Sequence, residues 1–235
     1  MNLSNISDYA ANAVLGQENQ LNSHGWVRVE TGSTDEAHLR QVLITVATAL
    51  AALGTPTKGR GSRQVIEQLI PREVETALPS SLSKKYGLGE FPFHIDTAHW
   101  PIPCRYILLA CVNPGLSDTP THLLNRERVT LSKSELQLAR TGIFYVRNGR
   151  NSFYSCILEG NRSFLRLDPG CMEPESSEAM QALTLFSSIR VSHLAEHVSW
   201  RAGTIIVIDN WRVLHARGLV NATNEGRTLL RCITI

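Results

Sequence analysis

Between Arg105 and the C-terminus the chain is cut into short apolar runs of at most eight residues, with Gly, Pro, Asn or Asp between many of them. Arg105 to Val112 is the first, closed by Asn113-Pro114-Gly115. Thr121 to Leu124, Ile143 to Val146, Phe153 to Leu158, Phe164 to Leu167, Thr204 to Ile208, Val213-Leu214 and Thr228 to Ile235 follow. Runs of this length, bounded by turn residues, read as strands. Many short strands with a few covering helices predict a mainly β fold with flanking helices, built on a double-stranded β-helix, the jelly roll.

The N-terminal part reads differently. Gly25 to Glu30 alternates as a short strand, and Ser33 or Thr34 then caps a helix with Asp35 and Glu36 in its first turn. Leu39, Val42, Leu43, Val46 and Leu50 recur at helical spacing, and Gly54 is expected to stop the helix after Leu53. Lys58 to Arg63 reads as a basic loop, Val65 to Leu69 as a short apolar run, and Leu82 to Tyr86 as a helical turn. Ser132 and Glu135 have the spacing of a capping box, and Ser177 to His197 reads as the longest helix. At 235 residues one domain is expected, with a helical region over about 1–90 packed on a jelly-roll core over about 91–235.

Composition narrows the partners. A net charge of +2 gives no reason to expect nucleic acid or an anionic membrane. The longest apolar stretch, Val42 to Leu53, is too short to span a bilayer. Met1 to Val14 lacks the basic and apolar segments of an export signal. Five cysteines, an odd number with no C-x-x-C pair, fit buried thiols in a reducing cytoplasm better than disulfides or a zinc-cysteine site. The expected partner is a small molecule; oligomeric state stays open.

The chemistry concentrates at His94-Ile95-Asp96. On a strand, residues two apart share a face, so this pair can chelate one ion. Two imidazoles and a carboxylate grip one face of a ferrous ion and leave the other open. His215, beyond the apolar run Thr204 to Ile208, can supply the second imidazole. Two rival sets exist. His99 lies near the pair but falls on the opposite strand face, and His193 with His197, four apart on one helix face, could hold the zinc of a hydrolase. The latter pair lacks the glutamate of an H-E-x-x-H motif.

Five segments together resemble the taurine dioxygenase and clavaminate synthase group of Fe(II)/2-oxoglutarate-dependent oxygenases: Phe93 to Asp96, Pro120 to Leu124, Gly203 to Asn210, Val213 to Arg217 and Arg227 to Arg231. The resemblance implies Fe(II), 2-oxoglutarate and O2 as cofactor and cosubstrates, with His94, Asp96 and His215 as metal ligands. It further implies that Arg227, twelve residues past His215, and Thr121 hold the far carboxylate of 2-oxoglutarate, with Thr119 as a competitor for the threonine role. A guanidinium suits this task because its planar donors match a carboxylate in pairs. Arg231 and Trp100 become candidates for substrate contact, and Asn210 and Arg217 for support of the ligands. The implied reaction couples 2-oxoglutarate decarboxylation to oxidation of a C–H bond in a small molecule, most simply a hydroxylation. An amino-acid-like or other anionic biosynthetic intermediate is the candidate substrate. The alternative is a catalytically silent binding protein of the same fold.

Overall fold

The computed structural model describes residues 9, 12–50, 55–58, 64–79, 81–116, 118–160, 163–186, 189–221 and 226–235. In chain order the described elements are α1 (Glu18–His24), β1 (Trp26–Glu30), α2 (Glu36–Leu50), β2 (Pro56–Thr57), β3 (Ile66–Leu69), α3 (Ser83–Tyr86), β4 (Tyr106–Asn113) and β5 (Thr121–Asn125). They continue with α4 (Lys133–Thr141), β6 (Phe144–Val146), β7 (Phe153–Ser155), β8 (Met172–Pro174), α5 (Ser177–Phe186), α6 (Ile189–Ser192), β9 (Glu196–Val198), β10 (Thr204–Asp209), β11 (Val213–Arg217) and β12 (Thr228–Thr234).

The main sheet is antiparallel in the order β1-β10-β4-β12-β2, with β3 also paired to β12. A three-stranded sheet, β11-β5-β9, faces it. Side-chain alternation explains why β4 and β10 carry unbroken apolar runs: both of their faces are covered. Ile107, Leu109, Cys111, Ile206 and Ile208 point inward and meet Leu123, Val198 and Val213 of the smaller sheet. Leu108, Ala110, Ile205 and Val207 point outward against Leu39, Val42, Leu43 and Val46 of α2. Burying each such side chain contributes roughly 1.5–3 kcal/mol, so the α2 stripe both anchors the helix and closes the outer face. A third sheet, β7-β6-β8, packs with α4 and α5 over Ile95, Leu124 and Leu214. This is the mainly β, jelly-roll arrangement with flanking helices that the strand pattern predicts.

Four details depart from the sequence reading. First, residues 1–90 are not simply a helical layer: β1, β2 and β3 are strands of the main sheet, pairing with β10 and β12. β1 is the strand read over Gly25 to Glu30, whereas the short or partly exposed patterns of β2 and β3 hide those two, since edge strands need no continuous apolar run. Second, α2 is capped by Asp35, whose carboxylate accepts from the His38 amide at 2.8 Å, not by Ser33 or Thr34. Its expected stop at Gly54, and the loop from 59 to 63, lie outside the described residues. Third, Phe164 to Leu167 joins no ladder. Its backbone gives single bonds to three different neighbours, Trp211, Ile157 and Ile95, so no strand pairing builds up. Fourth, the helix expected over Ser177 to His197 is helical over the described stretches Ser177–Phe186 and Ile189–Ser192 and ends before β9. His193 and His197 therefore do not share a helix face, which removes the expected zinc pair. The Ser132–Glu135 capping box, by contrast, is fully formed at the start of α4.

Candidate metal centre and cosubstrate site

His94 and His215 are brought together by backbone pairing. Each amide donates to the other's carbonyl, at 3.0 and 2.9 Å, in an isolated β-bridge. The ring centroids lie 4.2 Å apart. Asp96 Oδ1 sits 3.8 Å from His94 Nε2 and 3.5 Å from His215 Nε2. The three residues form the one such metal-competent cluster among the described residues, with donor atoms all within 4.8 Å of one another.

The groups around the triad aim it. His94 Nδ1 donates to the Pro92 carbonyl at 2.9 Å, which leaves Nε2 as the free lone pair. Burial lowers the His94 pKa to about 3, so the imidazole is neutral and ligand-ready at neutral pH. Burial pushes the Asp96 carboxyl up, but the Arg231 guanidinium and the His215 ring outweigh it and hold the carboxyl well below its usual range. Arg231 donates to Asp96 Oδ2 at 2.8 Å, leaving Oδ1 toward the histidines. Fully buried Asn210 accepts from the Asp96 amide at 2.9 Å and donates to the carbonyls of Asp96 and Cys104, at 3.1 and 2.9 Å. Thr97, next in the chain, takes a left-handed φ of 56° that β-branched residues avoid. Its hydroxyl accepts from the Cys104 amide at 2.7 Å and holds the turn.

Beside the triad lies a buried cationic cluster. Thr121 on β5 is the register partner of Arg217 on β11, one pair along from the pair His122–Ala216 and two from Leu123–His215. The Thr121 hydroxyl accepts from Trp200 Nε1 at 3.0 Å and keeps its own proton to donate. Arg227, 4% exposed, donates to the Thr119 carbonyl at 3.3 Å, and its Nε has no partner among the described residues. Burial, and after it the Arg227 charge, lower the Arg217 pKa to about 10. Two neighbouring, largely desolvated guanidiniums are costly unless an anion joins them. Arg217 is partly satisfied: it donates to the carbonyls of Gly87 and Gly89, each at 2.6 Å, and stacks over the Phe91 ring. It thereby fixes the segment that leads into His94.

Arg231 is drawn into an ion-pair network that the sequence reading did not contain. Besides Asp96 it bonds Glu67, its register partner on β3. Trp100 is half-buried against the core between the sheets, and its carbonyl accepts from Arg166 at 2.7 Å. Three functional neighbours escape the sequence. Glu67 lies in a segment that reads only as a short run. Asp168 sits close enough for the charges of Asp96 and His215 to act on it, and burial raises its pKa to about 6. Arg166, buried under the 98–101 segment, straps that turn through its carbonyls. All three depend on long-range pairing that one sequence does not display.

Residues 118–233 match the family described as taurine catabolism dioxygenase TauD, TfdA family. Over residues 118–233 the chain carries the pattern of this dioxygenase family. The match spans Thr121, His215, Arg227 and Arg231 and begins downstream of His94 and Asp96, which enter the site through the fold. No curated protein matches the chain by sequence. Similar solved structures include an asparagine oxygenase in complex with Fe(II), 2S,3S-3-hydroxyasparagine and succinate. It is 17% identical, with a TM-score of 0.76 over 96% of this chain and 78% of that one. The non-heme iron oxygenase OrfP in complex with Fe, succinate and (3S)-hydroxy-L-Arg is 15% identical, with a TM-score of 0.71 over 99% of this chain and 84% of that one. These likenesses establish a shared fold. No helix among the described residues is long and apolar enough to cross a membrane.

Proposed function

We propose that the protein is a 2-oxoglutarate-dependent hydroxylase of an amino acid or amino-acid-like small molecule, working in the cytoplasm. The observation that carries this reading is the junction of a two-histidine, one-carboxylate cluster with a buried arginine pair beside it. The donor set suits Fe(II), since a hard carboxylate oxygen and two imidazole nitrogens occupy one side only. The fit is supported by the free Nε2 of His94 and by the Arg231 bond that turns Asp96 Oδ1 inward. When bound, the iron and 2-oxoglutarate would supply the oxidising chemistry, with O2 as co-reactant.

The chain's own residues hold and orient. Arg227 and the Thr121 hydroxyl would grip the distal carboxylate of 2-oxoglutarate; the guanidinium offers donors in its plane and the hydroxyl adds one more. Trp200, by donating to Thr121, directs that hydroxyl's proton toward the pocket. Asn210 sets the backbone of Asp96, and Arg217 holds the segment ahead of His94. Glu67, bonded to Arg231, and Asp168 set two carboxylates near the triad, which would suit the ammonium group of an amino acid. That the two similar structures hold hydroxylated amino acids supports the same substrate class.

The test is a panel of amino acids incubated with the purified protein, Fe(II), 2-oxoglutarate and O2, with succinate and oxygenated product measured together. Amino-acid-dependent succinate with a product sixteen mass units heavier is expected. Succinate formation stimulated by no amino acid, but by a sulfonate or an aryloxy acid, would move the substrate class elsewhere.

A further inference from the structure

A second pair of histidines meets outside the site described above. His122 on β5 and His197 on β9 are register partners across an antiparallel pair. Their Nδ1 atoms are 2.7 Å apart and their rings stand perpendicular, with centroids 4.5 Å apart. His122 lies on the face of β5 opposite Thr121 and Leu123, so the pair occupies the outer surface of the smaller sheet. His197 is exposed and His122 half-buried. Gly218 packs under the His122 ring so closely that a Cβ there would come within 3.2 Å of Nε2, which directs Nδ1 toward His197.

We propose that His122 and His197 form a binding site for a divalent transition-metal ion of the zinc type, which staples the edge strand β9 to β5. Two imidazoles whose Nδ1 atoms converge across two strands become a bidentate ligand once the proton between them is released to solvent. At Zn–N distances of about 2.0–2.1 Å and a tetrahedral angle, the two nitrogens would stand roughly 3.3 Å apart. The pair must open by only about 0.6 Å, within reach of side-chain rotation at the surface. Burial and the facing His197 lower the His122 pKa, so the ion meets little competition from protons at neutral pH. Glu90 acts on His122 in the opposite sense, since its negative charge favours a cation at the ring. Water can complete the coordination. The staple has a structural consequence: β9 is three residues long, and it positions Trp200, whose indole directs Thr121.

Equilibrium dialysis of metal-free protein against micromolar Zn(II) tests this. Wild type should retain two equivalents, one at the triad and one at the pair. His122→Thr/His197→Thr, chosen because threonine suits strands, should retain one. His94→Ala/His215→Ala should also retain one, and Zn(II) should raise its melting temperature. One equivalent in wild type, or two in the His122→Thr/His197→Thr variant, would overturn the proposal without touching the reading of the triad. If the triad variant fails to fold, the comparison of wild type with His122→Thr/His197→Thr decides.

Discussion

Replacing Asn210 with alanine should weaken the metal site without removing any ligand. From a fully buried position the amide makes three hydrogen bonds to backbone groups, one to the amide of Asp96 and two to the carbonyls of Asp96 and Cys104, besides a weaker one to Cys104 Sγ. At about 1 kcal/mol for each lost bond, the substitution should cost roughly 3 kcal/mol of stability. Because two of the three bonds fix the backbone of Asp96, the loss should also release its carboxylate from the histidines. Outer partners of metal ligands typically account for about 10- to 100-fold in affinity. Urea unfolding of the metal-free variant reads the first effect, and Fe(II) or Co(II) titration of the folded variant at low denaturant reads the second. A variant that loses stability yet binds metal as tightly as wild type would refute the argument that Asn210 positions Asp96, and would leave it as ordinary core structure.

Arg227→Ala should raise the 2-oxoglutarate concentration needed for half-maximal turnover by roughly a hundredfold, from the loss of charge-assisted bonds of about 1.5–3 kcal/mol, while metal affinity stays the same. An unchanged 2-oxoglutarate requirement would remove Arg227 from the pocket. Asp168→Asn tests the buried carboxyl. Its folded pKa of about 6 lies above the ordinary carboxylate value, so protonation favours the folded state. Wild-type stability from this group is therefore highest below about pH 4 and falls as pH rises through 6. Asn lacks that fall, and the variant should gain roughly 1–3 kcal/mol relative to wild type between pH 4 and 7 after solvent screening. Parallel pH–stability curves for the two proteins would contradict the assignment.

How much of this was written in the sequence depends on the range of the interaction. Strands β4 and β10 were legible because both faces are buried and their runs are unbroken, and β12 because only Arg231 interrupts its apolar run. The triad was legible because His94 and Asp96 sit two apart and His215 follows a strand whose burial guarantees a fixed wall. What lay hidden is long-range or broken: the tie of β3 to β12 that brings Glu67 to Arg231, and the insertion of Leu167 against Ile95 that brings Asp168 to the metal ligands. The helix expected over Ser177 to His197 failed for a related reason. Helix continues in the described residues to Ser192, but Glu196–Val198 form a strand, where pairing with β5 outweighs local propensity. That same break converted His197 from a helix residue into the cross-strand partner of His122.

The central claim is that His94, Asp96 and His215 hold one iron beside a 2-oxoglutarate anchored by Arg227. Anaerobic addition of Fe(II) and 2-oxoglutarate to the metal-free protein tests it most directly, because chelation of the keto acid to ferrous iron produces a weak visible charge-transfer band. The band should appear in wild type, require both components, and vanish in a folded His215→Ala variant. No band in folded wild type, or a band of full intensity in His215→Ala, would contradict the account.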